Sequence, residues 1–568
     1  MKYQELAELY NSLSATTKRL EKIEILAKFL KSLHEHDKEV MYLLLGDIYP
    51  ESDEKKIGIS NQLVIKAISK ATGIEKEKII GEWKSIGDLG KVAEKFIANK
   101  KQSTFQSTVL TVEKVLENLR KLPELEGKGT VEKKISLITE LLTSASPIEE
   151  LYLVRTLLGD LRIGIKSSTI RDALAKSFFQ SDKDSQKKAV EQIQNVYDLT
   201  SDWVKVYELA KKGKTKEFEK IKLEVGKPIK VMLAQKAESI QDAFKKAGKL
   251  LACEFKYDGF RILINKNNNA IVLYTRKLEN VTRQFPDIVE SVKKNINADS
   301  FIIDAEAVGY NPKTKRYVPF QQISQRIKRK YDIDRLVKEL PVELVAFDII
   351  FCNGKNLIKK PFEERTKILR KIVKDEKFKI TTALQKITGN EEEIREFYKK
   401  AIQENQEGLI LKNLKAPYKP GSRVGYMLKL KEEMKDFDLV IVGAEYGTGK
   451  RTGWLSSFIL ACKDENSFKE IGKMGTGIKE KTINANGVSF KELTKILKPL
   501  ITKTKGREVE IKPKIVIAVT FQEIQKSPTY SSGFALRFPR LTALRNDKLL
   551  SEITTLEEVK KEYEKQKK

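Results

Sequence analysis

The sequence predicts a multidomain protein with an all-α N-terminal domain, a central α+β domain and a C-terminal β-rich domain. Three observations point to this. The chain has 568 residues, more than a single hydrophobic core organises. Apolar residues recur three and four apart through residues 1–215, the period of amphipathic helices. Beyond them β-branched and aromatic runs alternate with turns, and from residue 433 the runs are separated by Gly-rich turns, which reads as sheet.

Within residues 1–215, LAELYNSLSATTKRLEKIEILAKFL and KKISLITELLTSASPIEELYLVRTLLG carry the helical period. Two parts look alike: LLGDIYPESDEKKIGISNQLVIKAISKA from Leu44 and LLGDLRIGIKSSTIRDALAK from Leu157. Each has LLGD, then IGI, then a serine (Ser60, Ser167) placed to cap a new helix. Two helical subdomains of similar plan are expected, joined by 119–130, LRKLPELEGKGT. Residues 216–432 hold RILINK, AIVLYTR, FIIDAEAVG, VELVAFDII and GLILKN, interleaved with helical PFEERTKILRKIV and EEEIREFYKKAI, an α+β pattern. Residues 433–568 hold DFDLVIVGAEYGTG, GWLSSFILAC, KEIGKMGTG and KIVIAVTFQEI. A barrel or a sandwich is expected there. A five-stranded OB-type barrel fits the size, although a period of two does not choose between them. The charged tail VKKEYEKQKK is expected to fray.

Composition narrows the chemistry. Lys+Arg number 108 and Asp+Glu 79, a net charge of +29, which favours a polyanionic partner without locating its surface. The two histidines, His34 and His36, lie near the N-terminus, so histidine-based metal binding or proton transfer is excluded from most of the chain. Cys253, Cys352 and Cys462 are scattered and suggest neither a disulfide framework nor a zinc site. The N-terminus lacks a signal peptide's apolar core, and no run reaches 18 apolar residues. A soluble intracellular protein is expected.

The stretch CEFKYDGFR, 253–261, sets Lys256 inside a strand-like run interrupted by Asp258-Gly259. Alone, K-x-D-G is a loose pattern, and in a lysine-rich chain it leaves a solvated lysine ahead of a nucleophile. Further pieces follow in order: YTRKLENVT (274–282), FIIDAEAVG (301–309), AFDII (346–350), EGLILKN (407–413), YMLKLK (426–431) and GFALRFPRL (533–541). Taken together with the helical N-terminal region, these motifs resemble the ATP-dependent DNA ligases of the archaeal and eukaryotic replicative type, members of the covalent nucleotidyltransferase superfamily. The resemblance covers essentially the whole chain.

The resemblance implies a nucleotidyltransferase adenylation domain, ATP-grasp-like, over 216–432, an OB-fold over 433–568 and a helical DNA-binding domain over 1–215. It implies Lys256 as the nucleophile that takes AMP from ATP and passes it to a 5′-phosphate at a nick, which a 3′-hydroxyl then attacks. Glu254 would recognise the base and Phe347 would stack on adenine. Arg261 and Arg276 would lie near the sugar and the 5′-phosphate, with Arg423 also on the nucleotide. Lys412, Lys429 and Lys431 would contact phosphate. Glu306 and Glu407 would hold Mg²⁺, which Mn²⁺ could replace, and Glu306 could also reach the ribose. Arg537 and Arg540, in the C-terminal domain, would orient the leaving pyrophosphate. Lys429 and Lys431, two apart in a strand, would share a face, and cations near Lys256 would favour its neutral amine. Asp304 is expected on the face of Glu306, and Asp258 is expected to shape the turn. A hinge is expected over 432–436.

The implied partner is nicked double-stranded DNA, held through its backbone. Candidate contacts are Arg162, Gly164 and Lys166, at a helix start, and the cluster Arg326, Lys328, Arg329 and Lys330. Gln102 to Phe105, in KQSTFQ, resembles a sliding-clamp-binding segment. A monomer is expected. Rival readings are an RNA ligase, an mRNA-capping guanylyltransferase, an NAD⁺-dependent ligase and a DNA-binding scaffold without catalysis. ADP or NAD⁺ in place of ATP stays open.

Overall fold

The computed structural model describes residues 1–98, 109–179, 183–213, 215–318, 320–328, 331–431, 436–448, 451–465, 467–480 and 488–566, apart from 52, 54, 56, 126 and 128. The segment Gln102 to Phe105 and most of the expected hinge, 432–435, lie outside these residues. By packing, the chain divides into two compact units. One comprises Met1–Asn61 with Gln106–Lys431, the other Gln62–Phe105 with Glu432–Lys568. Among the described residues no helix is long and apolar enough to cross a membrane.

The N-terminal part of the first unit is helical, with helices Tyr3–Ala15, Arg19–Ser32, Val112–Glu124, Thr130–Ser144, Pro147–Leu157, Ser167–Phe178, Lys183–Thr200 and Trp203–Lys211 among them. Their apolar stripes are buried: Leu6, Tyr10, Leu26, Leu116, Ile138, Leu153 and Leu174 are all shielded from solvent. Two local expectations are corrected. The expected linker begins inside a helix, because Pro123 falls in its last turn and Leu119 and Leu122 point into the core. Ser167 is the first helical residue rather than the cap, a position that Lys166 takes with extended backbone.

Asp198, in the helix Lys183–Thr200, is buried and accepts a hydrogen bond from Gln194 Nε2 at 2.8 Å. Burial pushes its carboxyl up to about 6, against the pull of Gln194, Lys230 and Arg171. The folded chain holds this proton more tightly than the unfolded chain. Asp198 therefore contributes stability fully below pH 3.8 and loses it as pH rises through about 6, a swing of about 3 kcal/mol at most. Asp198→Asn is expected to raise the thermal midpoint at pH 8 more than at pH 5. Equal shifts at both pH values in melting curves would refute this.

The rest of the first unit is built on two sheets. Six strands carry the residues of interest: β1 (Leu251–Phe255), β2 (Phe260–Asn267), β3 (Ser300–Gly309), β4 (Val342–Cys352), β5 (Leu409–Asn413) and β6 (Met427–Leu430). The smaller sheet runs Gln235–Lys236, β6, β5, β1, Gln385–Thr388; the larger runs Ala270–Thr275, β2, β3, β4, Lys355–Asn356, with Ile380–Thr382 also on β4. Alternation decides the faces. Leu251, Cys253, Phe255, Leu409, Leu411 and Leu428 turn outward and pack with helices Ile240–Ala247 and Glu391–Gln403. Ile262, Ile264, Phe301, Ile303 and Ala305 turn outward on the larger sheet, against Pro286–Asn295 and Phe362–Ile372. The inner faces share a core of Leu263, Ile302, Ile350, Tyr418 and Met427.

In the second unit, strands Phe437–Tyr446, Leu455–Asp464 and Ser467–Met474 pair in succession, Val516–Thr520 pairs with Phe437–Tyr446, and Arg540–Leu544 pairs with Val516–Thr520. A bridge between Thr476 and Arg540 joins the two ends, with Leu541 N donating to Thr476 O at 3.0 Å. The five strands thus form a ring around Leu439, Phe458, Leu460, Ile471 and Ile517.

Candidate active site

On the inner faces the apolar side chains give way to polar ones along the same strands. Leu263 is followed two residues earlier in β2 by Arg261, and Ile302 two and four residues later in β3 by Asp304 and Glu306. On the smaller sheet Glu254, Lys412 and Lys429 hold the same side as Met427, each an even number of residues along its strand or directly across from the next. The polar ends of the two sheets make the site.

Lys256 sits where the chain crosses from one sheet to the other, between β1 and β2. Its backbone is fastened to the start of β5: Lys256 N donates to Gly408 O at 2.8 Å, and Glu407 N donates to Lys256 O at 2.8 Å. Gly408 has φ +132°, and a Cβ there would meet Leu430 O at 2.4 Å, so a side chain does not fit. Gly259 answers a second close approach, since its Cβ would lie 2.3 Å from Ala307 O and 3.0 Å from Glu306 Cγ. This explains the glycine of K-x-D-G: it lets the Lys256 loop lie against β3. Gln406, buried, accepts from Asp258 N at 3.0 Å and fixes the turn from below.

The Lys256 ammonium meets Glu407 Oε2 at 2.8 Å, and Lys431 pairs with the same oxygen. Both lysines and Glu407 are partly exposed, at 21%, 29% and 26% of their side chains, so an incoming molecule can reach them. Lys429 lies nearby and is pushed below the ordinary lysine range by burial and then by Lys256, Arg423, Arg276 and Lys236. Arg276, exposed at the end of its strand, is lowered too, by burial and by Arg261 and Arg423. A knot of mutually repelling cations therefore surrounds Lys256, as an anion site requires.

Carboxylates hold the other corners. Burial pushes Glu306 up to about 7, while Lys256 and Arg261 pull it down and Asp304 and Asp258 add to the rise. Arg261 and Glu306 are cross-strand partners. Asp304, fully buried on the face of Glu306, holds Arg261: Arg261 Nε donates to Asp304 Oδ1 at 2.7 Å, the second guanidinium arm takes Oδ2, and Nη1 donates to Met232 O at 2.7 Å. Tyr418 Oη donates to Asp304 Oδ2 at 2.7 Å. Asp348 is absorbed by Arg365, with bonds of 2.8 and 3.0 Å.

Lys412, expected at phosphate, is instead buried with its ammonium 2.6 Å from Glu254 Oε2, donating to Phe347 O at 2.9 Å. A cation this deep needs such partners. Phe347 is half-exposed, with Arg261 5.3 Å and Lys412 4.8 Å from its ring centre. Arg423 is exposed. Sequence reasoning missed Tyr418, Gln406 and Gln385. Only Gln406, a polar residue directly before EGLILKN, carried a local signal.

Among the described residues no group of three or more His, Cys, Asp or Glu is placed to hold a metal. Glu306 and Glu407 nonetheless offer carboxylate oxygens of the kind a divalent cation takes, its other oxygens coming from phosphate and water; burial raises Glu306 although Lys256 and Arg261 pull it down, and a bound cation would stabilise its carboxylate further.

Away from Lys256, in the helical part of the first unit, Arg162 pairs with Asp160 at 2.8 Å and Lys166 is exposed at the head of its helix. Arg326 does not join an exposed basic cluster. It is fully buried, held by Asp287 at 2.8 and 3.0 Å, by Leu340 O and by Gln284 O. Arg329 and Lys330, and the side chain of Lys328, lie outside the description. In the second unit Arg537 Nη1 donates to Glu523 Oε1 at 3.0 Å and Arg540 is exposed.

Residues 231–431 match the family described as ATP dependent DNA ligase domain. Residues 2–175 match DNA ligase N terminus, and 451–548 match ATP dependent DNA ligase C terminal region. The DNA ligase of Nanoarchaeum equitans is 44% identical over 568 residues, covering 100% of this chain and 99% of the relative. The DNA ligase of Thermococcus fumicolans is 40% identical, covering 99% and 98%. A solved structure named Pmar-Lig_PreS3 shares the fold, with a TM-score of 0.60 at 17% identity over 95% of this chain and 99% of that one. With full-length identity at this level and all three regions matched, the chain belongs to the ATP-dependent DNA ligase family.

Proposed function

We propose that the protein seals nicks carrying a 5′-phosphate and a 3′-hydroxyl in duplex DNA, through a lysyl-AMP on Lys256 and an adenylated DNA end, in replication, repair and recombination. The observation that carries this reading is the setting of Lys256, a partly exposed amine fastened between two sheets and ringed by Glu407, Lys429, Lys431 and Glu306. In the first step Lys256 Nζ forms a bond to the α-phosphorus of ATP and the bond to pyrophosphate breaks. Lys429, Lys431, Arg276 and Arg423 offset charge on the phosphates. A 5′-phosphate oxygen then takes AMP from Lys256, and the 3′-hydroxyl displaces AMP as the strand closes. Glu306 and Glu407 would hold Mg²⁺, whose chemistry when bound is to neutralise phosphate oxygens. Arg261, fixed by Asp304, presents its remaining edge to the nucleotide, and Phe347 offers its ring to adenine. Arg537 would serve the triphosphate.

We assign domains 1–215, 216–432 and 433–568, the central one an ATP-grasp-like nucleotidyltransferase and the last an OB-fold. The five-strand ring supports the OB reading. A monomer, with DNA held along Arg162 and Lys166, completes the proposal.

Incubation with α-labelled ATP, then with nicked duplex DNA, tests the sequence of steps. Acid-stable label is expected on the protein, then on DNA, then as free AMP with a sealed strand. Label that stays on the protein with DNA but moves to nicked RNA would replace this reading with an RNA ligase.

A further inference from the structure

Gln385 lies in Gln385–Thr388, the edge strand of the smaller sheet, directly across from Glu254. The pairing continues in one row over the sheet: Gln385, Glu254, Ile410, Lys429, Lys236. Residues directly opposite one another put their side chains on the same face, so this row faces the site. Its phosphate end is Lys429 beside Lys256. Its other end is Gln385, three strand spacings away, or about 14 Å. A nucleotide laid along the row with its phosphates at Lys256 brings its base to Glu254 and Gln385.

The chemistry at that end is specific. Gln385 Nε2 donates to Glu254 Oε1 at 2.8 Å, while Lys412 takes Glu254 Oε2 at 2.6 Å. Glu254 is only 2% exposed, and its two partners lock the carboxylate. Because an ionised carboxylate only accepts, the Gln385 amide nitrogen must face it, which leaves the carboxamide oxygen as a second acceptor beside it. That oxygen makes no hydrogen bond among the described residues, and Gln385 is half-buried, on the same face as Glu254. Two acceptors side by side suit an exocyclic amine with two N–H donors. A 6-oxo purine would set an acceptor against both, which disfavours it.

We propose that Gln385 is a specificity-determining residue that, together with Glu254, reads the 6-amino group of the purine and so selects ATP over 6-oxo nucleotides. The inference rests on the proposed nucleotide transfer to Lys256.

The test is the rate of acid-stable labelling of the full-length protein by three labelled triphosphates: ATP, GTP and the purine riboside triphosphate that lacks the 6-amino group. Wild-type protein is expected to use ATP at least about 10-fold more efficiently than the unsubstituted purine, the worth of one neutral hydrogen bond, and to discriminate further against GTP. In Gln385→Leu and Gln385→Ala both preferences are expected to shrink by about 10-fold, through KM rather than kcat, because the lost contact is made with bound substrate before chemistry. A merely structural role would slow all three nucleotides alike. Unchanged ratios in both variants overturn the role of Gln385 while leaving transfer to Lys256 intact. Absence of label on wild-type protein with every nucleotide overturns the transfer itself, and the inference with it.

Discussion

Lys256→Ala is expected to take no acid-stable label from ATP and to lose nick sealing by about four orders of magnitude or more, the scale seen when a covalent nucleophile is removed. No neighbour can substitute. Lys431 shares Glu407 with Lys256, Lys429 belongs to a different strand, and Lys412 is buried on Glu254. A lysine shifted to any of these positions would attack from the wrong backbone, since only Lys256 is held by the reciprocal bonds to Gly408 and Glu407. The variant is expected to fold normally, because the side chain is partly exposed and leaves no sealed cavity. It is also expected to close a nick whose 5′-phosphate already carries AMP, since that last step breaks no bond to lysine. Labelling of the variant at the wild-type rate would remove Lys256 from the chemistry. Failure on the pre-adenylated nick would show that its ammonium also serves strand closure.

The parts of this site that could be read from the chain are those whose logic is local. Alternation in FIIDAEAVG and YMLKLK placed Glu306 with Asp304, and Lys429 with Lys431, on single faces, because a strand's pleat is written in adjacent residues. The helical N-terminal region was legible for the same reason, at a period of three to four. What was not legible depends on partners distant in sequence. Nothing in RIKRKYD says that Arg326 turns inward, since its counter-charge, Asp287, lies 39 residues earlier. Lys412 reads like any strand lysine until Glu254, 158 residues before it by number, is brought alongside by the pairing of β1 with β5. Gln385 had no motif around it at all; its place follows from being the strand added beyond Glu254. Pro123 is tolerated inside its helix because it falls in the final turn, a distinction that composition does not make.

Glu407→Gln is expected to cut the rate of Lys256 labelling by about 10²-fold or more, in the range of a lost acid–base or charge-positioning group, and to move the pH dependence of that rate toward lower pH. Two effects of Glu407 oppose one another. Its carboxylate, 2.8 Å from Lys256 Nζ, favours the ammonium and so restrains the nucleophile. It also orients that amine and offsets the charge of Lys431, with which it pairs. Gln at this position keeps the size and the backbone bond from residue 407 to Lys256 O but removes the charge. Lys256 then loses its nearest anion while the cations Lys429 and Lys431 stay beside it, and its pKa falls. The neutral amine becomes available at lower pH, so the rising limb of the pH–rate profile shifts down. The ceiling drops all the same, because the amine is no longer drawn to one oxygen and a carboxylate suited to a divalent cation is gone. A profile that falls uniformly, with its limb unmoved, would mean that Glu407 acts on orientation alone and that the protonation state of Lys256 is governed from elsewhere, most directly by Lys429. Combining Glu407→Gln with Lys429→Met separates these cases: if Lys429 sets the pKa, the limb returns upward, and if Glu407 does, it stays where the single variant put it.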